Sequence, residues 1–337
     1  MASEHSASTP TALPSPERLV AGIRAGDRAL IAQAITLVES SAPHHQPLAD
    51  TLIRAITPLA GRANRIGITG VPGAGKSTFI ERFGLMRADV GARVAVLAID
   101  PSSPRSGGSI LGDKTRMEQL SRHPSCFVRP TPSRGSLGGI GRRTGEAITI
   151  CEAAGFDTII IETVGVGQSE IAVRSVSDFF ILLCLTGAGD ELQGFKKGVI
   201  ELADLILVNK ADGENELPAR HLSADLNAIL RYIPPSCPQW HPRALAISAL
   251  TGSGLADAWD EISSGFAQLT ASGYIDRQRA DQIASTIKVL FHEEVERVVC
   301  SSSGTEALLE SLTARVVQGE MTAREAVDGL MVHVGLK

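Results

Sequence analysis

The nine residues 70–78, "GVPGAGKST", decide how the rest of the chain is read. They fit G-x-x-x-x-G-K-[ST], with Gly70, Gly75, Lys76 and Ser77 in the fixed places. Such a run cradles phosphate when a strand precedes it and a helix follows. "RIGITG" (65–70) supplies the strand and "KSTFIERFGLM" (76–86) the helix. Glycines let the backbone wrap an anion with its N–H groups pointing inward, and the helix N-terminus adds the positive end of a dipole. The expected phosphate loop is therefore Gly70, Val71, Pro72, Gly73, Ala74, Gly75, Lys76, Ser77 and Thr78. Lys76 is expected to reach the β- and γ-phosphates, and the Ser77 hydroxyl to ligate Mg²⁺.

Outward from this loop, residues 65–248 alternate short apolar runs with helix-like segments. The runs are "RVAVLAID" (93–100), "CFVR" (126–129), "DTIIIET" (157–163), "DFFILLCLT" (178–186), "DLILVNK" (204–210) and "ALAIS" (244–248). That alternation predicts an α/β fold with a doubly wound, mostly parallel sheet. Composition agrees. Hydrophobic residues make up 43% of the 337-residue chain but aromatics only 4%, so Val, Ile, Leu and Ala must fill the core, as in a sheet covered on both faces. A net charge of −5 speaks against a nucleic-acid binder with a broad basic surface. Five scattered cysteines give neither a C-x-x-C pair nor a disulfide framework, which fits reduced thiols in the cytoplasm. The N-terminus lacks an apolar signal region, and "FFILLCL" (179–185) is too short to span a bilayer.

A phosphate loop alone does not choose the base. "NKAD" (209–212) ends the run "LILVNK", where a base-reading motif belongs. The Asp212 carboxylate can accept from guanine N1–H and the exocyclic amine. Adenine offers neither donor and would leave a desolvated carboxylate unpaired. Asn209 is expected to brace the loop and contact the base, and the Lys210 stem to cover the purine. Ser248, Ala249 and Leu250 follow the strand "ALAIS", where a backbone N–H can meet guanine O6. The order, phosphate loop then NKxD then SA, is that of GTP-binding proteins, so GTP and GDP are the expected ligands.

On the metal side, Asp100 ends "AVLAID", Asp113 lies in "GGSILGDKTRM", and Glu162 ends "IIIET" ahead of Gly165. A strand-end acid commonly holds the Mg²⁺ water shell and a nearby glycine senses the γ-phosphate. Lys76, Asp100, Asp113 and Glu162 are thus the catalytic candidates, and Ser77, Asp100, Asp113 and Glu162 the metal ligands. Glutamate stands where D-x-x-G would have aspartate. Gln168 is a candidate to orient water by position only.

Four segments are expected. Residues 1–14 read as a disordered tail, 15–60 as a helical lobe opened by Ser15-Pro16, 61–265 as the nucleotide-binding domain and 266–337 as C-terminal helices. In the last, Ile283, Ile287, Leu290, Phe291 and Val298 line one helix face. "SGTE" (303–306) and "TARE" (322–325) have the form of capping boxes.

"GVPGAGKST", "AIDPSSPRSGGSILGDKTRM", "ETVGVGQSE", "GAGDELQGFKKG" and "NKAD" together resemble the MeaB/ArgK family of P-loop GTPases across nearly the whole chain. The resemblance implies a P-loop fold of the group whose second Walker motif ends in Glu, which accounts for Glu162. It implies a homodimer through a C-terminal helical arm. It implies a GTP-dependent chaperone of an adenosylcobalamin-dependent acyl-CoA mutase, gating cofactor loading and reactivation. Switches would lie at 100–116, 162–174 and 185–196. Gly165, Gln168, Asp190, Gln193 and Lys196 would then couple nucleotide to partner, with Lys196 at the place of the family's terminal switch lysine. Arg134, Arg142 and Arg143 make this chain richer in arginine than the family pattern at 133–146. A metallochaperone GTPase, a phosphotransferase and a non-catalytic nucleotide-gated scaffold remain competing readings. The first lacks its usual His-rich or Cys-containing motifs here.

Overall fold

The computed structural model describes residues 14–100, 117–132, 137–163, 169–186, 197–300 and 304–335. The chain divides into two compact units, Met1–Gln282 and Ile283–Lys337.

In the first unit seven strands form one parallel sheet. They are β1 (Asn64–Gly70), β2 (Val94–Asp100), β3 (Cys126–Pro132), β4 (Thr158–Thr163), β5 (Phe179–Cys184), β6 (Leu205–Val208) and β7 (Arg243–Ala246). Their order is β3-β2-β4-β1-β5-β6-β7, and every pairing is parallel. The chain winds outward from β1 in one direction and later in the other, so β1 lies beside the point where the winding reverses. In such sheets ligands bind beyond the carboxyl ends of the strands at that point. Strand β1 ends in Gly70, the first residue of the phosphate loop. The doubly wound sheet read from the sequence is the one observed.

Helices cover both faces. On one, α4 (Lys76–Asp89) and α10 (Leu255–Ala271) bury Phe79, Phe83, Ile262 and Phe266 against Ile66, Ile68, Phe179 and Ile181. On the other lie α1 (Pro16–Ala25), α2 (Arg28–Glu39), α3 (Gln46–Ile56) and α6 (Leu137–Ala153). Their Leu19, Ile31, Ile35, Leu52 and Ile148 share one core with Ala95, Leu97, Ile159 and Ile161. The N-terminal helices therefore extend a face of the sheet. Ser15 caps α1 by accepting from Arg18 N–H, and Asp27 caps α2 by accepting from Ala29 and Leu30 N–H. Arg142 and Arg143 donate to Gln46 and to the Ser41 hydroxyl, tying the α2–α3 connection to α6. Arg134 lies outside the described residues.

The remaining elements of this unit are α5 (Glu118–Arg122), α7 (Ser169–Arg174), α8 (Lys197–Leu202) and α9 (Glu216–Leu230). At the amino end of the sheet one device recurs. Asp157, just before β4, accepts from Arg93 N–H beside β2. Asp178, just before β5, accepts from Arg65 N–H of β1. Asp204, just before β6, accepts from Phe180 N–H of β5. Each carboxylate caps the neighbouring strand.

Helix α11 (Tyr274–Cys300) begins in the first unit and runs into the second. The second unit adds α12 (Thr305–Val317) and α13 (Ala323–His333), which meet through Leu312 and Gly329. Of the two expected capping boxes one forms: Thr322 and Glu325 cap α13 reciprocally. At α12 the cap residue is Gly304, with a left-handed φ of 85° and no side-chain cap bond, because the helix starts one residue later than a Ser303 cap requires. Ile283, Ile287, Phe291 and Val298 are 53–65% exposed. No described helix is long and apolar enough to cross a membrane.

Candidate active site

Gly70 to Thr78 form the turn from β1 into α4. Two glycines are required there by close approach. A Cβ on Gly70 would lie 2.4 Å from the Leu183 carbonyl oxygen, and one on Gly75 would lie 2.6 Å from Asn209 Nδ2. Gly73 and Gly75 also have φ of 81° and 83°, which side chains rarely adopt. Lys76 is nearly buried, and its ammonium donates to the carbonyls of Gly70 at 2.8 Å and Val71 at 3.3 Å. The amine thus lies along the inside of the loop, where a phosphate oxygen could take over from a carbonyl.

Beside it, the Ser77 hydroxyl donates to Glu162 Oε1 at 3.4 Å. Glu162 is only 6% exposed, at the end of β4. A hydroxyl and a carboxylate are hard oxygen donors of the kind Mg²⁺ takes, and the pair fits that ion. Beneath them, the fully buried hydroxyls of Thr69 and Thr163 are 2.8 Å apart and join the ends of β1 and β4. Asp100 ends β2 on the same edge of the sheet, two strands from β1. Asp113, Gly165, Gln168, Asp190, Gln193 and Lys196 lie outside the described residues.

The base side is built around Asn209. Its buried amide donates from Nδ2 to the Ala74 carbonyl at 2.7 Å and accepts at Oδ1 from Ala249 N–H at 3.0 Å. One side chain therefore ties the phosphate loop to the segment after β7. Lys210 adopts a left-handed φ of 62°. Asn215, donating to the Lys210 carbonyl at 2.7 Å, holds it there. The Ser248 hydroxyl donates to the Asp212 carboxylate. Among the three amides expected near guanine O6, Ser248 N–H is taken by the Ser253 carbonyl and Ala249 N–H by Asn209. Leu250 N–H donates to no acceptor among the described residues, and Arg82 anchors the Leu250 carbonyl at 3.1 Å. Arg82, Asn215, Thr69 and Thr163 are the supporting residues that motif reading passed over. Only the "x-T-G" and "E-T" flanks of the motifs hint at the two threonines.

The fold brings Lys76, Ser77 and Glu162 together, and separately Asn209, Asp212 and Ser248–Leu250, with Asn209 the bridge. A family model described as methylmalonyl Co-A mutase-associated GTPase MeaB matches residues 31–304. The chain belongs to the MeaB family. Among MeaB-like relatives, a putative GTPase of Caulobacter vibrioides is 52% identical over 312 residues, covering 93% of this chain and 95% of its own. GTPase ArgK of Escherichia coli is 49% identical over 276 residues, covering 81% and 82%. The mitochondrial methylmalonic aciduria type A homolog of Mus musculus is 41% identical over 325 residues, covering 94% and 78%. A crystal structure described as LAO/AO transport system kinase superposes with a TM-score of 0.75 at 35% identity, covering 97% of this chain and 99% of that one. This member of the MeaB family is accordingly a GTPase, converting GTP to GDP and phosphate.

Proposed function

We propose that the chain is a Mg²⁺-dependent GTPase that serves as chaperone to an acyl-CoA mutase of the adenosylcobalamin-using class, gating cofactor loading and recovery. The observation that supports the site reading best is the Asn209 bridge, which joins Ala74 of the loop 70–78 to Ala249 after β7 in one hydrogen-bonded unit. The client is suggested by the description of the matching family.

In this reading guanine lies against residues 209–212 and 248–250. Asp212 exchanges the Ser248 hydroxyl for guanine N–H groups, and the Leu250 amide is available to O6. The phosphates occupy the loop 70–78. Lys76 swaps its carbonyl contacts for β- and γ-phosphate oxygens, so a cation already desolvated meets the charge that develops there. Ser77 and Glu162, with Asp100 and Asp113, would hold Mg²⁺, which when bound neutralises charge on the β- and γ-phosphates. A water oxygen bonds to the γ-phosphorus as the bond to the β–γ bridging oxygen breaks. GDP leaves with that electron pair and the water proton passes to solvent. Gly165, Gln168, Asp190, Gln193 and Lys196 are proposed to carry the change to the partner. The chain acts in the cytoplasm as a homodimer, with the exposed stripe Ile283, Ile287, Phe291 and Val298 facing a second copy.

The test is phosphate release by the purified protein while an acyl-CoA mutase from the same genome is titrated in. A saturable rise in turnover is expected, and a Lys76→Ala protein should lose about 10²–10³-fold in turnover with or without the mutase. A rate indifferent to every such mutase would remove the client. A Lys76→Ala protein as active as the parent would remove the site.

A further inference from the structure

The segment "NKAD" leaves β6 and is closed by a residue outside it. Lys210 has a left-handed φ of 62°, and among the described residues it is the sole non-glycine with a positive φ. Such a backbone persists only where its surroundings over-determine it, and it clusters at ligand clamps. The residues on either side are fixed. Asn209 N–H donates to the Cys184 carbonyl at 2.9 Å, while its side chain holds Ala74 and Ala249. Ala211 N–H donates to the Ile247 carbonyl at 2.9 Å. Lys210 itself is exposed, so the backbone rather than packing sets the direction of its stem.

Asn215, the residue ahead of α9, completes the closure. Its Nδ2 donates to the Lys210 carbonyl at 2.7 Å, and its backbone N–H donates to the Asp212 carbonyl at 3.1 Å. The hydroxyl of Thr186, just past the end of β5, donates to Asn215 Oδ1. A carbonyl can only accept, so the amide must turn its nitrogen to Lys210, and Thr186 then holds the oxygen. The C=O and N–H of a trans peptide unit point to opposite sides. The unit joining Lys210 to Ala211 is therefore pinned at both, its C=O by Asn215 and its N–H by the Ile247 carbonyl. Gly213, with a φ of 54°, lets the chain turn back between Asp212 and Asn215.

The Asp212 carboxylate has its own anchor in the Ser248 hydroxyl. The Lys210 carbonyl has Asn215. We propose that Asn215 is a positioning residue for the purine: by pinning the Lys210 peptide it holds the Lys210 stem over the base, and so sets the affinity for guanine nucleotides without touching them. The proposal rests on the GTP-site reading above. Because GTP and GDP share the base, the contribution is the same for substrate and product. It therefore shows in KM and in the hold on GDP, and leaves the bond-breaking step alone.

Competition binding and single-turnover hydrolysis by the full-length protein test it. Asn215→Ala is expected to weaken GDP and a non-hydrolysable GTP analogue by the same factor, about tenfold, as one hydrogen bond and part of the backbone constraint are lost. The single-turnover rate at saturating GTP and Mg²⁺ should stay within about twofold of the parent. A rate that falls with the affinity overturns the proposal. Asn215→Asp keeps the size and the acceptor for Thr186 but loses the donor, so it should weaken both nucleotides at least as much. Parental affinity there would mean that packing alone suffices, and overturns it too. Lys210→Gly takes the left-handed φ freely and has no stem. In that background Asn215→Ala should cost less than about threefold more, and full additivity refutes a route through Lys210. If Asn215→Ala binds as the parent does while Asp212→Asn changes the base preference, Asn215 has no such role and the site stands. An unchanged base preference in Asp212→Asn removes the site reading instead. Should Asn215→Ala fold poorly, Thr186→Val leaves the amide free to turn and should show the same split at about threefold. Parental affinity in that variant overturns the proposal.

Discussion

The two ends of the central sheet are held by different chemistry. At the amino end acids meet guanidinium groups: Glu152 with Arg65, Asp178 with Arg279, Asp204 with Arg174. At the carboxyl end, Glu162 accepts from the Ser77 hydroxyl and Asp212 from the Ser248 hydroxyl, while Lys76 leans on backbone carbonyls. The first kind of contact is costly to break, because a lone buried charge remains. The second kind exchanges at little cost for a phosphate oxygen, a metal ion or a base N–H, because each neutral partner is replaced by a better one. The end that must accept a ligand is built from exchangeable contacts, and the end that must stay put is pinned by charge.

The sharpest way to break this comparison is at the base. Asp212→Asn should reverse the preference between GTP and xanthosine triphosphate by on the order of 10⁴-fold, since the site discriminates by hydrogen bonds it would otherwise leave unmade. An asparagine can still accept from the Ser248 hydroxyl, so melting temperature should hold. Unchanged relative affinities in competition binding would contradict the assignment. Next comes the pinned end. Asp178→Ala leaves Arg279 with a buried charge and Arg65 N–H without its acceptor, and should cost about 3–5 kcal/mol in urea unfolding. Nucleotide affinity of the protein that remains folded should change little. A loss below about 1 kcal/mol would show that the amino end is not pinned as described. The smallest effect sharpens the boundary between the two ends. Thr163→Val strands the Thr69 hydroxyl and should cost about 1–2 kcal/mol. The Thr69→Val/Thr163→Val double variant should recover most of that, and a denaturant double-mutant cycle measures the difference.

The recurring carboxylates show what sequence reading can miss. "DTIII", "DFFIL" and "DLILV" each carry an aspartate directly before a buried strand. As a pattern this was visible, but it reads equally well as a polar turn before an apolar run. Only the pairing order gives each acid an N–H at the start of a neighbouring strand to accept from. The capping motifs teach the same lesson in miniature. "TARE" and "SGTE" share one pattern, and only the first is a capping box, because Gly304 opens the second helix a residue late.

The sequence by itself determined the sheet, the phosphate loop and the guanine motif. Each rests on local chemistry: apolar runs of strand length, glycines at fixed spacing, and an aspartate four residues into a motif at a strand end. The tertiary structure alone decided which of those parts touch. Asn209 and Ala74 are 135 residues apart, Ser77 and Glu162 are 85, and Arg279 and Asp178 are 101. Nothing in a run of neighbouring residues encodes those contacts. They follow from strand order, which is fixed by how the whole chain buries its apolar surface, and from the few polar groups that this burial forces to find partners.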